Sequence, residues 1–169
     1  MAISRRAFLR RFTAGAAALV SPIALFADDN PALDRERVFA FVKAGHNDLA
    51  AVTSMLSEEP LLLNAAWDWG GGDFETALGG AGHVGNAAIA RYLIDRGARA
   101  DLFALTMLGE TDLVIPMLER FPTLLDAPGP HGFTLLHHAR VGGAVAAPLV
   151  DYLTGKGLTD SKRLLPGRR

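Results

Sequence analysis

Two stretches of this 169-residue chain follow the same order of landmarks, and this internal repeat constrains the fold more than any other feature. The stretch TALGGAGHVGNAAIARYLIDRGARAD begins at Thr76, and TLLHHARVGGAVAAPLVDYLTGKGL begins at Thr134. Both run from threonine through leucine and a small-residue helix to glycine, and then through a second helix to another glycine. Such a period predicts stacked helix pairs, because one pair cannot bury its apolar faces alone.

Two further copies extend the array. The inter-helix landmarks of the four copies are Asn47, Gly85, Gly109 and Gly143. They lie 38, 24 and 34 residues apart, with an inserted WDWGGGD in the long interval and a missing hairpin in the short one. A second repeated segment supports this alignment of the repeats, since the similar stretches PLLLNA from Pro60 and PTLLDA from Pro122 both follow a predicted second helix.

These motifs resemble the ankyrin-repeat family over roughly residues 34 to 158. TLLHHA matches the family's T-P-L-H-x-A with leucine in place of proline, and TALGGA matches it with alanine and glycine substituted. The resemblance implies an all-α fold, a short ankyrin-repeat solenoid of about four helix-turn-helix repeats, one lacking its hairpin. We assign residues 28–158 to this domain and expect residues 159–169 to be a flexible tail.

Apolar stripes at helical spacing predict which residues of the second helices face the core. The predicted stripes are Ile89, Tyr92 and Leu93 in one helix and Leu113, Met117 and Phe121 in another. Pro116 lies inside the latter helix, which should therefore start late or bend, because proline removes a backbone donor.

The N-terminus, residues 1–27, is predicted to be an export signal. Arg5 and Arg6, followed by Phe8 and Leu9, resemble the twin-arginine signal, and an apolar run from Phe12 to Ala27 follows them. The resemblance implies that the chain is exported already folded, to the periplasm or another extracytoplasmic location. We expect no stable membrane span once the signal is removed, although an uncleaved segment that tethers the protein is an alternative.

Composition excludes several classes of function. The chain has no cysteine, which excludes disulfides, thiolate metal sites and thiol catalysis. The formal net charge is -1, and four arginines precede the first acidic residue, so removing the signal leaves -1 minus 4, or -5. An acidic chain predicts no nucleic-acid partner. We expect a monomer.

None of the five histidines is predicted to bind a metal ion. The resemblance places His137 at the T-P-L-H histidine, which ties the turn to the first helix. His138 lies about 100° round the helix from it, so the two do not face one metal ion. His83, at a helix end, and His46, in an inter-helix turn, are expected to be solvated or capping. We therefore predict no metal, no cofactor and no catalytic residue; the alternative is a small-ligand or metal-dependent hydrolase that uses His131, His138 and the acidic loop.

The inserted loop carries both tryptophans of the chain, Trp67 and Trp69. Their spacing predicts that both rings point to the same side. They either fold back over the edge left by the hairpin-less repeat or form an aromatic anchor for a partner. The second interpretation assigns a protein partner, unidentified, to Trp67, Asp68, Trp69, Asp73, Phe74, His131 and Phe133. The predicted function is therefore an exported adaptor that is not an enzyme and that supports another periplasmic protein.

Overall fold

The computed structural model describes residues 32–165; the predicted signal, with Arg5, Arg6, Phe8 and Leu9, lies outside this range. Residues 33–165 form one compact unit, which is mostly helical, as predicted. Among the helices of residues 32–165, none combines the length and apolar character needed to cross a bilayer.

The helices are α1 (Arg35–Asn47), α2 (Leu49–Glu58), α3 (Ala77–Val84), α4 (Ala87–Asp95), α5 (Leu102–Met107), α6 (Thr111–Arg120), α7 (Leu135–Gly142) and α8 (Ala147–Gly155). The strands β1 (Ala66–Asp68) and β2 (Phe74–Thr76) form an antiparallel hairpin between α2 and α3. Short 3-10 helices cover Pro60–Asn64, Pro122–Asp126, Pro130–Gly132 and Gly143–Ala146.

The first helices of the four pairs stack in chain order. Helix α1 contacts α3, α3 contacts α5 and α5 contacts α7, while each also packs against the second helix of its own pair. The threonine landmarks start two of these helices, because the hydroxyls of Thr76 and Thr134 accept from the backbone N–H groups of Gly79 and His137 at 3.0 and 3.2 Å. The two similar segments that begin at Pro60 and Pro122 both form a 3-10 helix directly after the second helix of a pair.

The inter-helix glycines meet a backbone requirement. Gly85, Gly109 and Gly143 have φ of 79°, 75° and 69°, positive values that glycine adopts readily and other residues rarely do. A Cβ at Gly85 would also lie 2.6 Å from the carbonyl oxygen of Val141. Glycine at this landmark therefore permits both the turn and the close approach of α7.

The apolar stripe predicted for α6 is wrong. Leu113, Met117 and Phe121 are 54%, 39% and 53% exposed, whereas Val114 and Leu118 are buried in the second of two core clusters. Leu113 and Met117 are four residues apart, and so are Val114 and Leu118, so helical spacing alone does not tell which pair faces the core. Packing against the neighbouring helices buries the second pair.

The other second-helix predictions have mixed outcomes. Ile89 and Leu93 are fully buried and Tyr92 packs partly buried against the same core. Helix α6 begins at Thr111 with Pro116 inside it, so of the two expected outcomes, a late start or a bend, the late start does not occur. Pro116 is exposed, and water there can satisfy the carbonyl that loses its intrahelical donor.

Residues 159–165, the described part of the predicted flexible tail, contact the folded domain. An antiparallel bridge joins Phe133 to Lys162, and the N–H of Arg163 donates to the carbonyl of Gly132 at 2.8 Å. This segment is therefore hydrogen-bonded to the loop that precedes α7.

Candidate metal centre

Three histidines from separate parts of the chain surround one buried glutamate. His46 lies in the last turn of α1, His83 in the last turn of α3, His131 in the loop before α7, and Glu75 in β2. Each offers one ligand atom, and these atoms all lie within 4.8 Å of one another. Imidazole nitrogens with a carboxylate form a donor set that suits first-row transition metal ions. We call these four residues the metal-ligand cluster.

The hairpin directs the Glu75 carboxylate inward. Side chains alternate along β2, so Phe74 is 61% exposed while Glu75 is 1% exposed. The glycines of the turn, Gly70 to Gly72, all have positive φ, which allows the chain to reverse tightly between the strands. The insertion that lengthens this repeat therefore delivers the acidic ligand.

The carboxylate lies within contact distance of all three imidazoles. Glu75 Oε1 is 2.9 Å from His83 Nδ1, and Glu75 Oε2 is 3.4 Å from His131 Nε2 and 3.6 Å from His46 Nε2. Trp69 Nε1 donates to Oε2 at 2.9 Å. Although Glu75 Oε1 and His83 Nδ1 are only 2.9 Å apart, their geometry is not that of a hydrogen bond. Both atoms are buried and have no other hydrogen-bond partner. A cation between them would satisfy both atoms.

Hydrogen bonds on the far side of two rings fix which nitrogen faces the cluster. His46 Nδ1 lies 3.2 and 3.1 Å from the carbonyls of Val42 and Lys43, and His131 Nδ1 lies 2.9 Å from Asp73 Oδ2. With Nδ1 donating, Nε2 of each ring is left as a lone-pair ligand toward the cluster. Metal-binding histidines are oriented in this way by carbonyls and carboxylates behind them.

His131 is held in a strained backbone conformation. Its φ of 56° is the only positive value at a non-glycine residue within residues 32–165. Such strain, on the order of 1–3 kcal/mol, persists where surrounding contacts determine the conformation, and it is concentrated at functional sites. Here Asp73 provides those contacts, because its Oδ1 accepts from the His131 backbone N–H at 2.8 Å while its Oδ2 binds the ring.

Glycines allow the helices that carry the ligands to approach. Gly45 of α1 faces the backbone of Ala77, where a Cβ would meet backbone atoms at 2.5 Å. A Cβ at Gly80 would lie 2.9 Å from the His46 ring. Both positions exclude larger residues, which brings the end of α1 against α3.

The spacing of the ligand atoms is close to what one ion requires. Ligands bonded at about 2.1 Å in a tetrahedral site are separated by roughly 3.4 Å. The observed upper limit of 4.8 Å therefore needs each of the two most distant ligand atoms to move inward by about 0.7 Å, which side-chain torsions can supply. The side chains of His46 and His131 are 22% and 25% exposed, against 0% for Glu75 and 8% for His83, so the cluster opens to solvent on one side.

The predicted role of His83 is wrong, because His83 is buried and faces Glu75. His46 caps the last turn of α1 through Nδ1, as expected, and in addition points its Nε2 at the same carboxylate. The alternative pair of His131 with His138 does not form, because the metal-ligand cluster includes His131 and not His138. His131 instead joins residues that are distant in the sequence.

His137 and His138 have structural contacts. His137 Nε2 lies 2.8 Å from the carbonyl of His83, so it links α7 to α3, rather than only tying its own turn to its helix. His138 is fully buried, with Nδ1 2.8 Å from the carbonyl of Thr134. Burial lowers the pKa of His138 from 6.5 to about 4, although the bond to Thr134 opposes this shift. As the pH falls below 6.5, the unfolded chain takes up a proton that the folded chain does not, so folding stability decreases.

The tryptophan rings fold back onto α1. The rings of Trp67 and Trp69 lie 5.0 and 5.7 Å from that of Phe39, on the same side, as their spacing predicts. The Arg35 guanidinium lies 4.7 Å over the Trp67 ring. The tryptophan rings therefore pack on the helix pair that precedes the hairpin. The first of the two interpretations of the sequence had placed them over the edge of the repeat that follows the hairpin.

The residues predicted to bind a partner separate into groups. His131 belongs to the metal-ligand cluster, and Trp69 and Asp73 contact it through polar atoms. Phe133 stacks on the rings of His83 and His137, with centroids 5.1 and 4.1 Å away. Asp68 and Phe74 are exposed, and Asp68 accepts from the N–H of Gly70 at 2.7 Å.

Sequence reasoning missed His46 and His83 as ligands, and it considered Glu75 only as part of the acidic loop in the alternative interpretation. One signal was available: His46 and His83 each occupy the last turn of a first helix, and equivalent positions in stacked repeats are neighbours in space. Comparisons of the chain with protein-family models, curated proteins and solved structures found no match.

Proposed function

We propose that this chain is a metal-binding protein in which His46, Glu75, His83 and His131 hold one divalent first-row transition metal ion. The convergence of three imidazoles on one buried carboxylate carries the proposal. A site with three nitrogen donors and one oxygen favours zinc, iron, nickel or copper, because calcium and magnesium prefer oxygen ligands throughout.

Charge also favours an ion at this position. Burying an ionised carboxylate is costly unless a cation or several donors compensate it. Glu75 has a single indole donor, from Trp69, and its Oε1 lacks a hydrogen bond. Neutral imidazoles and a dication would compensate the charge of Glu75, with Asp73 contributing a second negative charge behind His131.

For the scaffold we propose an ankyrin-type solenoid. Four stacked helix pairs, threonine caps at Thr76 and Thr134, and a hairpin before α3 support it. Export and the adaptor role remain predictions.

Zinc titration of chelator-treated protein tests the proposal. Calorimetry and native mass spectrometry should show one Zn²⁺ per chain. His46→Ala should weaken binding by roughly a hundredfold or more, since four ligands share an apparent binding free energy of about 10–16 kcal/mol. His46 lies at a helix end and is partly exposed, so the variant should fold, which circular dichroism checks. The matched control is Glu36→Gln, an exposed residue of the same helix. Wild-type protein that takes up no zinc, or equal affinity in His46→Ala, would overturn the proposal.

A further inference from the structure

We infer that the metal ion remains accessible on the side of His46 and His131, and that a small carboxylate with an apolar body binds there. This inference rests on the proposed metal centre and names the class of ligand that the centre takes.

Exposure identifies the accessible side. The two partly exposed ligands are His46 and His131, while Glu75 and His83 close the opposite side. The Trp69 ring lies 5.5 Å from the His131 ring and donates to Glu75, so it borders the opening.

An open cavity adjoins this side. It lies beside His46 and has a volume of about 630 Å³. Its walls are formed by Phe39, Lys43, His46, Asn47, Asp48 and Trp69. His46 and Trp69 both contact Glu75, so the cavity leads to the metal-ligand cluster.

The cavity wall combines a cation with aromatic surface. Lys43 precedes His46 by three residues on α1, which places both side chains on one face of the helix. Asp48 is the acidic group of the wall, and its carboxylate is directed at the N-terminus of α2, where it accepts from Ala51 N–H at 2.9 Å. The rings of Phe39 and Trp69, at 5.7 Å, provide an apolar surface.

These features select a carboxylate with an apolar body. Glu75 is the only anionic ligand of the cluster, and Asp73 offsets the charge of a dication only from behind His131. Lys43 adds positive charge on the cavity side, so the ligand should be an anion. The aromatic surface accommodates an apolar group beside the anion. Four protein ligands complete a tetrahedron, but an ion that expands to five ligands can accept a carboxylate oxygen.

Cobalt substitution tests the inference, because the visible bands of Co²⁺ report its ligands. Bands that saturate at one Co²⁺ per chain first establish the centre. Titration with benzoate should then change the bands saturably, and acetate should bind more weakly. Absent cobalt bands would contradict the metal centre itself, whereas cobalt bands that benzoate leaves unchanged would contradict only this inference.

Two variants locate the ligand. Lys43→Gln should raise the Kd of both benzoate and acetate by about 1.5- to fivefold, as for a partly exposed ion pair. The matched control is Lys156→Gln, because Lys156 pairs with Glu119 at 2.8 Å and does not line the cavity. Phe39→Leu should raise the Kd of benzoate and leave that of acetate unchanged. Equal effects of the two lysine variants, or equal loss of both anions in Phe39→Leu, would overturn the assignment to this cavity.

Discussion

Replacing Glu75 by glutamine tests the centre with the smallest change in shape. The amide keeps an oxygen that can accept from Trp69 Nε1, which now donates to Glu75 Oε2 at 2.9 Å. The substitution removes the negative charge that lies against three imidazoles. Packing around the 1% exposed side chain should therefore change little, while the metal loses its only anionic ligand in the cluster.

The expected loss of affinity follows from the number of ligands. Structural zinc sites with four ligands have apparent binding free energies of about 10–16 kcal/mol, or roughly 2.5–4 kcal/mol for each ligand. That share corresponds to roughly a hundred- to thousandfold increase in Kd for Glu75→Gln.

The difference in Kd also determines how far zinc raises the melting temperature, Tm, of each protein. Zinc at about 100 times the wild-type Kd stabilises the folded chain by about 2.7 kcal/mol, which raises Tm by roughly 5–11 °C for a domain of this size. At that zinc concentration, a variant with a hundredfold higher Kd gains only about 0.4 kcal/mol, or roughly 1–2 °C.

Melting curves by circular dichroism, with zinc and with chelator, measure both shifts. Glu36→Gln, which removes an exposed charge from α1, should retain the wild-type shift. A zinc-dependent shift in Glu75→Gln as large as that in the wild type would refute the reasoning.

Three other predictions concern different parts of the chain. Asp73→Asn replaces the carboxylate behind His131 by a neutral amide and should raise the Kd for zinc, measured by calorimetry, by about 10- to 100-fold. An unchanged Kd would mean that the contact of Asp73 with His131 does not orient the ring. In chelator, wild-type protein should lose up to about 3 kcal/mol more stability than His138→Leu as the pH falls from 7 to 4; denaturant unfolding measures the difference, and parallel losses would contradict the lowered pKa. Replacing Arg5 and Arg6 together by lysine keeps the charge but should retain the protein in the cytoplasm, because lysine lacks the guanidinium fork; unchanged export in cell fractionation would refute the twin-arginine assignment.

The repeat register was predictable because local chemistry determines it. Thr76 and Thr134 are helix caps, and Gly85 and Gly109 have left-handed turns, so each landmark has a physical cause within a few residues. The stripe of α6 was not predictable in this way, since neighbouring helices decide whether Leu113 or Val114 faces the core.

The metal-ligand cluster could not be predicted either, because tertiary packing and not local sequence brings its members together. Its members are spread from His46 to His131, and no two of them have the i, i+4 spacing that signals a metal pair on one helix. Only the stacking of α1, α3 and α7 and the inward turn of β2 bring them together. Gly80 shows how indirect the signal is, because its missing side chain is what leaves room for the His46 ring.

The distribution of the ligands along the chain sets an order in which the centre is completed during synthesis. His46, Glu75 and His83 leave the ribosome first, and His131 follows 48 residues after His83. At about 5–20 residues per second, the partial site lacks its fourth ligand for roughly 2 to 10 s. By the same share per ligand, three ligands hold an ion roughly a hundred- to thousandfold more weakly than four. The ion that is retained would therefore be selected where residue 131 folds into place. If the predicted export of folded protein holds, that selection occurs in the cytoplasm, before the protein reaches the compartment where it acts.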